Sequence, residues 1–169
     1  MYDIIKRVAQ EREELHAGSA STRQFTSGST HEIGLLGEFS FGRLVGQMPD
    51  VEKRINGDRG VDFVVPFLKI IDVKTTKAPA AYHTSTLYVE SGKVLADIYV
   101  LAVANDDKTD AKCVGWTTKD YILSVEPKRS FHGILTHQIP QERLTNMNEL
   151  LRRVPKWTAT WRFDSSDNH

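Results

Sequence analysis

Gly60-Val61-Asp62-Phe63-Val64-Val65-Pro66-Phe67-Leu68-Lys69-Ile70-Ile71-Asp72-Val73-Lys74-Thr75 is the stretch on which the reading of this chain turns. It divides into two short runs rich in Val and Ile, one on each side of Pro66, which is the pattern of two strands. A hairpin centred on Phe67 sets Val65 opposite Lys69 and Asp62 opposite Asp72. Side chains alternate faces along a strand. Val61, Phe63, Val65, Ile71 and Val73 therefore share one face, an apolar set fit for a core, and Asp62, Asp72 and Lys74 share the other. Directly opposed residues have Cβ atoms roughly 4.5–5.5 Å apart. Two bare carboxylates at that separation repel, and one of them is driven to keep its proton. A divalent cation removes the conflict, because hard cations such as Mg²⁺ take oxygen ligands at about 2.0–2.1 Å. Lys74 stands about 6.6 Å along the strand from Asp72, one step from such a cation, where its ammonium reaches a water or a phosphate oxygen.

Upstream, Gly37-Glu38-Phe39 places another acid on a helix that precedes these strands. An aspartate, then Asp-x-Lys ten residues later on the adjacent strand, behind a helix that carries a glutamate, resembles the PD-(D/E)xK nuclease superfamily. Asp62 matches the first acid, Asp72-Val73-Lys74 the (D/E)xK triplet and Glu38 the helix acid. Val61 stands where the name-giving proline would be; that proline shapes the start of the strand, so the metal site is not put in doubt. The likeness spans roughly residues 32–121, and because the motif is short, spacing and element order carry it. The resemblance implies an α/β restriction-endonuclease-like core, a central mixed four- to five-stranded sheet flanked by helices in αβββαβ order. It implies Mg²⁺ or Mn²⁺ held by Glu38, Asp62 and Asp72, with the carbonyl of Val73 as a further ligand, and Glu38, Asp62, Asp72 and Lys74 as catalytic residues. The expected activity is hydrolysis of DNA phosphodiester bonds, structure- or end-directed, since no separate recognition domain is evident.

The whole chain sets the bounds. Its 169 residues suit one domain able to bury a real core, with a helix over 2–16 and a polar loop over 18–28 as an appendage. Hydrophobic residues at 40% and charged residues at 26% are ordinary for a water-exposed globular protein. Twenty-two basic and 22 acidic side chains cancel, which argues against strong non-specific binding to nucleic acid. Local clusters remain: Lys53, Arg54 and Arg59 lie just upstream of Asp62, and Thr75 and Lys77 just beyond Lys74, all candidate contacts to a nucleic-acid backbone. The single Cys113 excludes an intramolecular disulfide. No apolar run approaches the ~20 residues needed to span a bilayer, and Glu11, Glu13 and Glu14 near the start do not suit a signal peptide. The expectation is a cytoplasmic protein with no membrane partner.

Ser29-Thr30-His31-Glu32 fits a capping box, opening a helix that runs to about Gln47 and stops before Pro49. Its Gly34, Gly37, Gly42 and Gly46 each cost roughly 1 kcal/mol relative to Ala inside a helix, which predicts close packing against a neighbour. Residues 18–28 are read as an exposed joint rather than a lid over the site, and residues 49–60 as a polar connector in which Asn56-Gly57-Asp58 turns the chain. Leu87-Tyr88-Val89 predicts a short strand. Residues 94–104 predict a central strand buried on both faces, with Asp97 at its mouth as a structural hydrogen-bond acceptor, not a ligand. Residues 112–116 predict a returning strand, Thr118 the cap of a short helix through Leu123, residues 128–139 irregular chain, and residues 144–154 a last helix. His132 and His137 lack a second ligand at zinc spacing.

Asp and Lys on the polar face of a strand are commonplace; it is their conjunction with a clean apolar face and a helix glutamate that favours a nuclease. The rival reading is a catalytically inactive nuclease-fold module that binds nucleic acid or a protein. A small-molecule α/β enzyme has no Gly-rich phosphate loop behind it. A homodimer would let two sites cut two strands, and Trp157 and Trp161, alternating with Thr158, Thr160 and Arg162, mark the candidate contact.

Overall fold

The computed structural model describes residue 7 and residues 28–49, 62–65, 69–78, 84–130 and 133–153. The expected helix over 2–16 (Arg7 apart), the joint, the basic connector with Lys53, Arg54 and Arg59, the hairpin tip and the segment with Trp157 and Trp161 lie outside the described residues.

Helix α1 runs Gly28–Val45, beginning one residue ahead of the expected Ser29 cap. Gly46 stops it by adopting a φ of 72°, and the Gln47 amide donates to the Gly42 carbonyl at 3.0 Å. That bond is the closing contact of a Schellman turn. The chain folds back so tightly that a Cβ on Gly42 would collide with the Gln47 carbonyl. Gly37 serves packing instead: a Cβ there would strike Thr75 Oγ1 and Ala102 Cβ. Thr75 Oγ1 donates to the Gly34 carbonyl at 3.3 Å, so the helix backbone rests directly on the side chains of the sheet.

A mixed four-stranded sheet in the order β1-β2-β4-β5 forms the centre, from Phe63–Val65, Lys69–Lys77, Ile98–Ala104 and Ala111–Thr118. The β1–β2 register pairs Phe63 with Ile71 and Val65 with Lys69, as the hairpin reading expects. β2 and β4 are parallel, from Ile71 opposite Ile98 to Lys77 opposite Ala104. β4 and β5 are antiparallel, and the register slips between Leu101 and Ala102, leaving Val114 as an extra residue in β5. The slip reverses the alternation. Ala111, Cys113 and Trp116 therefore join the core beneath α1, whereas Val114 packs into the core on the other face.

The crossover from β2 to β4 is not carried by a helix among the described residues. It contains β3 (Thr86–Glu90) and a 3₁₀ turn over Ser91–Lys93, and β3 pairs with β7 (Leu135–Pro140), not with the central sheet. With β6 (Lys128–Arg129) these make a second, three-stranded sheet in the order β3-β7-β6. Residues 128–139, expected as irregular, thus hold two strands. The strand expected over 94–104 starts only at Ile98, because the Tyr99 hydroxyl accepts from the Ala96 amide at 3.1 Å and holds residues 94–96 out of the ladder. Asp97 is the predicted structural acceptor: its Oδ2 takes the Ile70 amide at 3.0 Å.

Two cores result. α1 covers one face of the central sheet, with Leu35, Phe41, Phe63, Val65, Ile71, Val100 and Leu150 buried. On the other face Leu87, Val89, Tyr99, Leu101, Ile122 and Ile139 pack between the central sheet, the second sheet and α2 (Lys119–Ser124). Thr118 caps α2 as expected, accepting from the Tyr121 amide. Among the described residues the final helix, α3 (Met147–Arg153), starts later than the expected residue 144, buries Met147 and Leu150, and places Arg153 over the Trp116 ring at 5.6 Å.

Two outcomes follow from this packing. Gly37→Ala pushes a methyl into Thr75 and Ala102 and costs about 1–3 kcal/mol, read as a lower urea midpoint at unchanged slope. Cys113 bonds weakly to Ser40 (Sγ to Oγ 3.9 Å), and burial pushes its thiol up to about 11 against the lesser opposing pull of Ser40 and Arg43. At pH 8 a thiol reagent labels the native protein far more slowly than the urea-unfolded chain.

Candidate active site

The site is built on the alternation of β2. Ile71, Val73 and Thr75 point toward α1; Asp72 and Lys74 point the other way, beside Tyr99 and Leu101, their register partners on β4. Asp62 immediately precedes β1. Its amide donates to the Ile71 carbonyl at 3.0 Å, and its Oδ2 accepts the Val73 amide at 2.6 Å. The side chain of Asp62 thereby continues the β1–β2 ladder past the last paired residue. Both aspartates are taken out of water: Asp62 is 8% exposed and Asp72 2%.

Such burial is costly for a carboxylate without a partner. For Asp72 the partner is Lys74, whose Nζ lies 2.7 Å from Oδ2 while its side chain stays 40% exposed. Burial is the largest single influence on Lys74 and lowers its pKa. Attraction to Asp72, the hydrogen bond to it and the charges of Asp62 and Tyr99 together outweigh burial, so the pKa lies above the ordinary 10.5. Lys74 is thus held as an ammonium against Asp72.

Tyr99 is a neighbour that sequence reasoning passed over. Fully buried, it accepts from the Ala96 amide and donates to the Lys93 carbonyl at 3.4 Å, so its ring is fixed beside Asp72. Burial, chiefly, and then the Asp72 charge hold its hydroxyl in the protonated form. Its place inside the most apolar run of the chain made it read as core, and only the register reveals what it stands beside.

Glu38 is 7% exposed, so it is not a solvent-facing helix glutamate. It rides on the helix that covers the face opposite Asp72 and Lys74. Among the described residues no group of three or more His, Cys, Asp or Glu side chains is arranged to hold a metal ion, so the three acids do not form a closed cage. The donor set still suits one class of ion: Mg²⁺ is commonly held by one or two carboxylates, with waters and substrate phosphate completing its shell. Asp62 and Asp72 supply such a pair.

Thr75 spends its hydroxyl on the Gly34 carbonyl and sits under α1. Lys77 is exposed at the end of β2. No helix among the described residues is long and apolar enough to cross a membrane. No protein-family model matches the chain, and no curated protein matches it in sequence.

The Lys74 ion pair has a pH signature with a definite sign. A lysine whose folded pKa is raised lends stability that is complete below its unfolded pKa and is lost as pH climbs through the folded value. The stability difference between wild type and Lys74→Met, read by urea unfolding, is therefore flat from pH 7 to 9 and moves against the wild type above 10.5.

Proposed function

We propose that this protein is a metal-dependent nuclease that hydrolyses DNA phosphodiester bonds. The observation that carries the reading is the placement of Asp62, Asp72 and Lys74: two buried carboxylates at the end of one strand pair, with an ammonium 2.7 Å from the second. Surface acids on a strand are ordinarily exposed and have no reason to be sequestered with a lysine.

Asp62 and Asp72 would hold Mg²⁺ or Mn²⁺, which would supply Lewis-acid polarisation of a phosphoryl oxygen and a more acidic bound water. The Val73 carbonyl and Glu38, the latter through water, are the further donors in this reading. The rest of the chemistry belongs to the chain. Lys74, as a cation, orients a scissile phosphate and stabilises the negative charge that grows on it. Asp62 is aimed by the Val73 amide, and Asp72 is aimed by its place in β2 beside the fixed ring of Tyr99. Lys77, at the exposed end of β2, is the described candidate for a further backbone phosphate. An inactive binding module would have no need to keep both acids and the lysine.

Linear, nicked, branched and single-stranded DNA incubated with Mg²⁺ or Mn²⁺ tests the assignment. Wild type is expected to cut at least one substrate only when the ion is added. Asp72→Ala is expected to lose more than about 100-fold, the upper end of what loss of a group that merely supports a metal ligand costs. Binding of DNA without cleavage of any substrate would instead make this a nuclease-fold module.

A further inference from the structure

The resting site already contains a cation. Asp72, 2% exposed, has the Lys74 ammonium against its Oδ2 at 2.7 Å, and Asp62 contributes to the same field around Lys74. An ammonium set against Asp72 cancels one carboxylate charge and makes the acid pair less attractive to a divalent ion than it would be bare. Lys74 also occupies one of the oxygens such an ion would use. Its side chain is 40% exposed, so the head group can turn toward solvent while Asp72 and Tyr99 stay in place. A long, half-exposed lysine stem permits that movement at little cost.

Resting on the nuclease reading, we infer that Lys74 is a stand-in cation whose transfer from Asp72 to a backbone phosphate couples substrate binding to divalent-ion binding. A phosphate that draws the ammonium away uncovers the Asp72 oxygen and raises the affinity for the ion. An ion at Asp72 expels the ammonium and raises the affinity for the phosphate. Linkage makes the two factors equal. The free protein therefore holds the ion poorly, and the complete site assembles only on nucleic acid. Direct attraction between ion and phosphate adds coupling of the same sign, so the part owed to Lys74 is isolated by removing its charge.

The test is a Mn²⁺ titration followed by the resonance of the free ion, on full-length wild type, Lys74→Met and Lys74→Arg. Each is measured alone and with a short duplex bearing phosphorothioate linkages that resist cleavage. Lys74→Met is expected to bind Mn²⁺ without DNA about fivefold or more tightly than wild type, within the usual range of coupling between sites. It is also expected to gain less from the duplex than wild type does. Lys74→Arg, which keeps the charge, is expected to bind no more tightly than wild type and serves if Lys74→Met fails to show a native circular-dichroism spectrum. In that case, tighter binding by Lys74→Arg overturns the proposal. With Lys74→Met folded, equal or weaker binding of Mn²⁺ than wild type overturns it while leaving the nuclease reading in place. If Mn²⁺ binds wild type neither alone nor with the duplex, the nuclease reading falls, and the coupling falls with it.

Discussion

The two-residue period of one strand governs this molecule. β2 touches α1, β1 and β4 and also carries the acid–lysine pair, and its alternate residues face different worlds. Ile71, Val73 and Thr75 meet the helix; Asp72 and Lys74 lie beside Tyr99 and Leu101. A slip of one residue against either neighbour would put a carboxylate under α1 and a valine at the site. The core face and the Asp72–Lys74 pair are thus set by the same register, and neither can be changed without the other.

The glycines of α1 belong to the same constraint. A helix with an ordinary side chain at position 37 would stand away from the sheet, and the Thr75 hydroxyl would no longer reach the Gly34 carbonyl. Close approach keeps the apolar face of β2 dry. It also goes with the burial of Glu38, the residue next to Gly37.

Sequence made the local pattern legible. The β1–β2 register followed from Val65, Lys69 and the alternation around them; the acceptor role of Asp97 and the Thr118 cap followed from their positions at element ends. What stayed hidden was long-range. Nothing in Leu87-Tyr88-Val89 says which sheet it joins, because strand propensity is the same for either partner. β6 and β7 escaped notice since Lys128 and Arg129 form only a two-residue strand, and His137 breaks the apolar run of β7. That histidine is buried, with Nδ1 on the Val125 carbonyl at 2.6 Å and Nε2 without a hydrogen-bond partner. The extra residue at Val114 was equally invisible, as a bulge needs no special residue type to form. The candidate site was half legible: the two aspartates and the lysine came from spacing, whereas Tyr99 beside Asp72 and the burial of Glu38 needed coordinates.

Asp97 has a consequence that reaches beyond its own hydrogen bonds. Its amide donates to the Ile70 carbonyl, its carboxylate receives the Ile70 amide, and its carbonyl receives the Lys119 amide. Parallel neighbours have no hairpin to set their alignment, and the long connection over residues 78–97 would tolerate sliding. One short side chain clamps both backbone groups of Ile70 and anchors the start of α2 as well. It works as a mechanical zero point, from which the offset of every later rung, Asp72 beside Tyr99 among them, is measured.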